Sequence, residues 1–340
     1  MKYRRILIAS PGGPEVLQVC EEEIPAPVEG EVLVRIEAAG VIWADVMARR
    51  GVYPNMMPPL PYTPGYEVVG TVEKTGPGVH SERVGERILA ITKVGGYAEF
   101  LCVPEKDLVL VPPAVETAEA VALGVNYVTA YQMLHRAAQV RSGQSVFYHG
   151  ASGGVGTALL ELGAMAALKM YGTASSRKHE LVSRLGGVPI DYRAKDFRHR
   201  LWDAVGEGID AVFDPIGGSH LWLSYRMLLP EGVLVAYGEK SWAGGTTQNS
   251  TQRMIHHILL GGLGALPGGR RVTWYDLHPL LGDHPDWVRE DLLILLDMLG
   301  EGRIHPVIGE RLPLEQAARA HTMLERGEAL GKIVLLCRPV

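Results

Sequence analysis

Val146-Phe147-Tyr148-His149-Gly150-Ala151-Ser152-Gly153-Gly154-Val155-Gly156 decides the fold of this chain. It starts as a short apolar strand and runs through a glycine-rich turn into the start of a helix. At such a turn Gly153 lets the backbone approach a pyrophosphate, and Gly156 lets the helix pack close to the strand. The free N–H groups and positive dipole end of the helix then face the phosphates, with Gly154 and Val155 in its first turn. The spacing Ala151, Gly153, Gly156 is that of G-x-G-x-x-G with alanine at the first glycine. The context restores the motif: a strand before, a helix after, and a further strand about twenty residues on. The same residues fit a second pattern. Gly150-Ala151-Ser152-Gly153-Gly154 satisfies G-x-S-x-G, the elbow that carries a nucleophilic serine in α/β-hydrolases. Ser152 is then either a nucleophile or a small polar residue beside phosphates. Against the elbow, no HGGG-type stretch precedes it and Gly156 has no role in it. A β-rich segment of this size is also unusual ahead of a hydrolase core.

Outward from the turn, short apolar strands alternate with helix-length segments: Ser145–His149, Met170–Ala174, Pro189–Tyr192, Ile209–Asp214 and Gly232–Tyr237. Continuous apolar runs such as Ala211-Val212-Phe213 suit strands buried on both faces. The alternation implies right-handed βαβ units and an α/β fold with a doubly wound parallel sheet. A helix is expected from an N-cap at Thr117 through Ala120, Leu123 and Tyr127 towards Met133. Ahead of it the chain is different. Thirteen of the 22 prolines fall in residues 1–113, and the next is Pro189. That segment reads as a small, mostly β domain, with strands at Glu31–Ala38, Tyr66–Glu73, Arg87–Thr92 and Ala98–Val103. Beyond Gly238 the expectation is a loop, a helix over Met254–Leu260, a strand Arg271–Tyr275, helices Trp287–Leu299 and Leu314–Glu325, and a closing strand Lys332–Leu336.

The chain has 340 residues, enough for two domains. Lys+Arg 33 against Asp+Glu 38 gives a net charge of -5, which speaks against general nucleic-acid binding. Cys20, Cys102 and Cys337 lie far apart without a CxxC pair, so neither a zinc knuckle nor a disulfide framework is indicated. A reducing cytoplasm is the expected compartment. The basic start Met1–Arg5 leads only to a short apolar run broken by Pro11-Gly12-Gly13-Pro14, unlike a signal peptide. No apolar run is long enough for a membrane span.

The end of the second strand bears on the cofactor. A site for NAD places Asp or Glu there, on the ribose hydroxyls. Here the residues are Gly172-Thr173-Ala174-Ser175-Ser176-Arg177-Lys178-His179. Hydroxyls and two fixed cations replace the acid and suit a 2′-phosphate, and hence NADPH. The alternative is a solvated first helical turn.

These residues, with Ala39-Gly40-Val41-x-x-Ala44-Asp45, Thr63-Pro64-Gly65-Tyr66-Glu67, Val128-Thr129-Ala130-Tyr131-Gln132 and Gly331-Lys332-Ile333-Val334-Leu335, resemble the medium-chain dehydrogenase/reductase superfamily. Within it the chain is similar to the zinc-free quinone oxidoreductase, or zeta-crystallin-like, branch. The resemblance covers nearly the whole chain. It implies a GroES-like catalytic domain, 1–123 with 277–340, around a Rossmann domain over 124–276 that binds NADPH. The implied cofactor set is Thr129, Ala151, Ser152, Gly153, Gly154, Val155, Gly156, Ser175, Arg177, Lys178, Tyr192 and Tyr237. Tyr192 lies near the 2′-phosphate in relatives, or is here a strand-end aromatic. The family's usual phosphate-binding lysine aligns with His179, which leaves Ser175, Arg177 and Lys178 to share that role. The zinc ligands of the metal-dependent branch align with Ile42, Tyr66 and, approximately, Val125, none of which binds zinc. The branch often has Asn where Ile42 stands.

Without a metal, the implied reaction is hydride transfer from NADPH to a quinone or an α,β-unsaturated carbonyl. Tyr53 matches a tyrosine near the active site in relatives and is the candidate proton donor, or else shapes the pocket. Asp45 and Glu67 match family positions or are structural hydrogen-bonding groups. A protein that binds NADPH without turnover is the alternative of a different class. Relatives dimerise, which implies a homodimer with Arg271–Tyr275 pairing across a two-fold axis.

Overall fold

The computed structural model describes residues 2–53, 57–238 and 258–337. The chain divides into two units, Met1–Val128 with Gly282–Val340, and Thr129–Leu281.

The second unit is built on six parallel strands among its described residues. Their order across the sheet is Gly187–Asp191, Lys169–Ala174, Ser145–His149, Ile209–Asp214, Leu228–Tyr237 and Arg271–Tyr275. In chain order that is 3-2-1-4-5-6, the doubly wound order with its switch point between the first and fourth strands. Val146, Phe147, Tyr148, Val212 and Phe213 are completely buried, as strands covered on both faces require. The five expected strands and the sixth, Arg271–Tyr275, are all present. The fifth begins earlier than its apolar run, at Leu228. The ladder shifts between Ile209 and Ala211, opposite a stretch in which Pro230 has no N–H and Glu231 sits at φ 65. Residues 239–257, which hold the expected loop and most of the helix Met254–Leu260, lie outside the described residues; 258–264 are helical.

The helical stretch that follows the first domain differs from its reading in two ways. Its N-cap is Glu116, whose carboxylate accepts the Glu119 N–H at 2.8 Å, and Thr117 is the first helical residue. The Thr117 hydroxyl is instead held by Arg87 and Glu37, partners far away in sequence. The stretch is also not one regular helix. It passes from α to π at Leu123–Tyr127 and again at Met133–Ala138.

In the first unit a seven-stranded sheet centres on Glu31–Val41. Glu67–Thr75 lies antiparallel along one side of it. Phe100–Pro104 and the C-terminal Lys332–Leu336 share the other side. The C-terminal strand thus completes a sheet begun by the N-terminal segment, which gives a GroES-like unit, while the parallel unit is Rossmann-like.

Two buried carboxylates hold this unit's loops. The fully buried Glu67 pairs with Lys332 through Oε1 and accepts the Val125 N–H through Oε2. Asp45 accepts the N–H groups of Ile42 (3.0 Å) and Gly65 (3.2 Å) and the Tyr97 hydroxyl (3.1 Å). Both are structural hydrogen-bonding groups. Burial lifts the Asp45 carboxyl from its ordinary 3.8 to about 7, against the hydrogen bonds from Ile42 and Tyr97 and the charge of Lys332. Because the folded value lies above the unfolded one, the native state keeps a proton that the unfolded chain has released. The stability contributed by Asp45 is therefore fully present below about pH 4 and lost as pH rises through about 7. Buried His321, held neutral with its pKa lowered to about 3, contributes in the opposite sense over the same window. The Asp45 share is therefore read as the difference in denaturant midpoint between wild type and Asp45→Asn, which should fall as pH rises.

Candidate functional site

The glycine-rich turn has the geometry of a phosphate cradle. Ser145–His149 ends at Gly150, whose φ of 83 lies in the left-handed region open to glycine. The turn is tied to the second strand: Gly150 N–H donates to Thr173 Oγ1 (3.0 Å) and Ala151 N–H to the Thr173 carbonyl (2.8 Å). Gly153 caps the helix Gly154–Met165 with extended backbone and no capping side chain. The first N–H groups of a helix have no partner within it, so those of Gly154, Val155 and Gly156 are available to an anion.

The two glycines serve different needs. A Cβ on Gly156 would collide with the Gly150 carbonyl oxygen and lie 2.8 Å from the Ala151 carbonyl carbon. The fold itself requires glycine there. A Cβ on Gly153 would meet only the Gly150 oxygen, at 3.5 Å, an ordinary contact. Among the described residues nothing fills that face, so the residues present fit a dinucleotide pyrophosphate. Ala151 is accommodated at the first glycine position by Gly172 on the neighbouring strand. A Cβ on Gly172 would lie 2.7 Å from that of Ala151. Sequence reading missed Gly172, because its partner is defined only by strand register.

Ser152 is buried, and among the described residues it forms no hydrogen bond to a histidine. Its φ is not positive, so the strained elbow conformation is absent too. His149, three residues before it, hydrogen-bonds Ser224 instead. Among the described residues Ser152 thus has no general base, and the nucleophile reading fails there.

The remaining cofactor candidates of the parallel sheet fall at the carboxyl ends of its strands. Ser175 is buried and starts the single turn Ser176–Lys178; Lys178 is buried as well. His179 turns its Nε2 to the Ala174 carbonyl at 3.2 Å, which closes the strand end and turns that nitrogen away from a ligand. Asp191 pairs in register with Ala174, so Tyr192 follows directly beside Ser175. Tyr192 is 49% exposed, with the Arg193 guanidinium 5.4 Å from its ring centroid. Tyr237 closes the fifth strand, and burial raises its hydroxyl pKa. Thr129 is buried in the helix Val128–Gln132.

Tyr53, in the first unit, packs edge-on against Tyr66 with ring centroids 6.1 Å apart. Ile42 and Tyr66 are buried and are held near one another through Asp45, which binds the N–H groups of Ile42 and Gly65. Glu67 holds Val125 by its N–H. No group of three or more His, Cys, Asp or Glu placed to hold a metal occurs among the described residues. Among them, too, no helix is long and apolar enough to cross a membrane.

Two family models match the chain: "Alcohol dehydrogenase GroES-like domain" over residues 28–113 and "Zinc-binding dehydrogenase" over 186–335. Rat quinone oxidoreductase (Rattus norvegicus) is 30% identical, covering 98% of this chain and 97% of its own. The zebrafish (Danio rerio) synaptic vesicle membrane protein VAT-1 homolog is 33% identical, covering 99% of this chain and 71% of its own. Among solved structures, Escherichia coli quinone oxidoreductase complexed with NADPH superposes with a TM-score of 0.86 at 27% identity, covering 98% of this chain and 99% of its own. The chain belongs to the medium-chain dehydrogenase/reductase superfamily, in its quinone oxidoreductase-like branch. It is thus an oxidoreductase that works with a nicotinamide dinucleotide.

The cradle generates a test that separates its two glycines. Gly156→Ala should lower the melting temperature by several degrees, the cost of driving a methyl into backbone. Gly153→Ala should melt near the wild type yet lose most of its affinity for the dinucleotide. Calorimetry of both variants, with and without cofactor, reads the two effects apart.

Proposed function

We propose that the chain reduces quinones or α,β-unsaturated carbonyls with NADPH and without a bound metal. The observation that carries this reading is the carboxylate-free end of the second strand, where buried Ser175 and Lys178 flank Arg177 just beyond Thr173, to which the glycine turn is hydrogen-bonded. The relatives named quinone oxidoreductase support the acceptor class. Bound NADPH supplies the hydride. The helix starting at Gly154 fixes the pyrophosphate through its N–H groups and dipole, with Ser152 beside it. Ser175, Arg177 and Lys178 hold the 2′-phosphate, and Tyr192 borders it. Thr129 and Tyr237 complete the cofactor set. The Tyr53 hydroxyl is the donor proposed to deliver a proton to the reduced enone.

One matched family model carries zinc in its description, but the aligned ligand positions hold Ile42, Tyr66 and Val125, which offer no zinc donor. Quinones and enones are already polarised and accept hydride when oriented against the donor, so no Lewis acid is needed. Cys20, Cys102 and Cys337 are free thiols, in keeping with a reducing cytoplasm as the place of action.

Oxidation of NADPH by a panel of quinones and enones, after exhaustive chelation, tests the reading. Turnover should survive chelation, and NADPH should be preferred over NADH by about ten-fold or more, since one charge-assisted contact contributes roughly 1.5–3 kcal/mol. Equal use of both cofactors, or activity that leaves with a stoichiometric zinc, would overturn it. Tight NADPH binding with no turnover on any acceptor would favour a binding protein instead.

Among the described residues the strand Arg271–Tyr275 ends the parallel sheet and leaves an edge that a second copy of the chain can cover across a two-fold axis. The active form is proposed to be this homodimer. Light scattering at micromolar concentration should give twice the chain mass, and a monomer would sink the proposal.

A further inference from the structure

At the switch point of the parallel sheet, Ser145–His149 and Ile209–Asp214 lie side by side. Their last residues each lead straight into a loop: His149 into the glycine turn, Asp214 into Pro215-Ile216-Gly217-Gly218. The register pairs Phe213 with Tyr148, so His149 and Asp214 come next to one another at the carboxyl edge. Ser224, on the helix His220–Arg226, links them. Its hydroxyl lies 2.7 Å from Asp214 Oδ2 and 3.2 Å from His149 Nε2. Asp214 Oδ1 accepts the N–H groups of Ile216 (2.7 Å) and Gly217 (3.0 Å).

The proton positions follow from chemistry. A carboxylate only accepts, and a serine hydroxyl has one proton. Ser224 therefore donates to Asp214, and its lone pair accepts a proton carried by His149 Nε2. All three side chains are buried: His149 at 3%, Ser224 at 0% and Asp214 at 1% exposure. The loop that Asp214 clamps contains Gly217 at φ 77 and Gly218 at φ 59, a conformation that needs fixing as well as glycine. One buried line of hydrogen bonds thus runs between the two lips of the crevice in which doubly wound sheets bind dinucleotides.

We infer that the His149–Ser224–Asp214 line is a positioning device for the cofactor, setting the 215–218 loop against the glycine turn. The inference rests on the dinucleotide site proposed above and extends it to three residues outside the glycine motif. The opposite end of the same two strands provides its control. There Ser145 Oγ donates to Asp210 Oδ2 at 2.7 Å, the same Ser–Asp chemistry on the same strand pair, at the edge away from the crevice. A role in fold stability alone predicts like effects at both ends. A role in positioning predicts a change in cofactor affinity at one end only.

The test compares Ser224→Ala with Ser145→Ala, reading the NADPH dissociation constant by calorimetry and amide hydrogen exchange in the cofactor-free protein. Ser224→Ala should weaken NADPH binding about ten-fold and speed exchange at Ile216 and Gly217, since a buried bond to a charged group is lost. Ser145→Ala should leave affinity within about two-fold and those two amides unchanged, since sites this far apart act independently. Asp214→Asn, which keeps shape but reverses the polarity facing Ser224, serves as a second variant should Ser224→Ala fail to fold, with the same expectation. Wild-type affinity in the Ser224 or Asp214 variant, or equal weakening by Ser145→Ala, would overturn the inference. If the wild-type chain binds no nicotinamide dinucleotide, the site reading falls and this inference with it. Faster exchange without an affinity change overturns the inference alone.

Discussion

The approach of one helix to one strand sets the rest of the parallel unit. The helix Gly154–Met165 can start where it does only because Gly156 has no side chain between it and the Gly150 carbonyl. Moving the helix outward by the width of a methyl would carry its first N–H groups away from the open face of Gly153. The turn cannot shift sideways either, since Gly150 and Ala151 are both hydrogen-bonded to Thr173 on the second strand. That same anchoring fixes the end of the second strand relative to the turn. The backbone of the turn proposed for the pyrophosphate and that of the strand end leading to Ser175 are therefore held in one arrangement.

What could be read in the sequence was what local pattern encodes. The apolar runs at Ser145–His149 and Ile209–Asp214 gave strands with the observed limits, because a strand covered on both faces has little freedom in composition. The turn was legible for the same reason, as its glycines are needed within a few residues of one another. What escaped was set by partners distant in the chain. Thr117 has the right chemistry for an N-cap but spends its hydroxyl on Arg87 and Glu37. His179 aligns with a lysine yet closes the Ala174 carbonyl. Gly172 looks like any strand glycine until register sets it against Ala151. The line from His149 to Asp214 spans three elements, none with a recognised motif. G-x-S-x-G at 150–154 shows the converse: a pattern satisfied residue by residue whose serine meets no histidine among the described residues.

In the first unit, two glycines make room for charge. A Cβ on Gly40 would strike Glu67 Oε1 and lie 2.7 Å from Lys332 Cε, and one on Gly124 would lie 2.5 Å from Glu67 Oε2. A buried ion pair adds little net stability, but removing one partner leaves a desolvated charge, so the two members and the glycines around them are bound to one another. Their effect is positional. Lys332 belongs to the C-terminal strand, Glu67 opens the strand that follows Tyr66, and Val125 lies in the helical stretch, so one carboxylate gathers three distant segments.

Asp45 and Glu67 also bear on what the positions beside them can hold. Asp45, three residues after Ile42, and Glu67, next to Tyr66 and bonded to the Val125 N–H, are the carboxylates that could make up for the missing donors. Neither is available. Asp45 receives two N–H groups and the Tyr97 hydroxyl, and Glu67 receives Lys332 and the Val125 N–H. Recruiting either to a cation would strip buried donors of their acceptors, at a cost of about 1–3 kcal/mol for each. A charge of +2 would also have to displace Lys332 from Glu67. The scaffold therefore keeps the acids and gives them to the backbone, while the side chains aligned with a metal-binding set are an isoleucine, a tyrosine and a valine. The metal-free reduction proposed above would take an acceptor that is already electron-poor, and it would ask of the protein orientation and dryness in place of a Lewis acid.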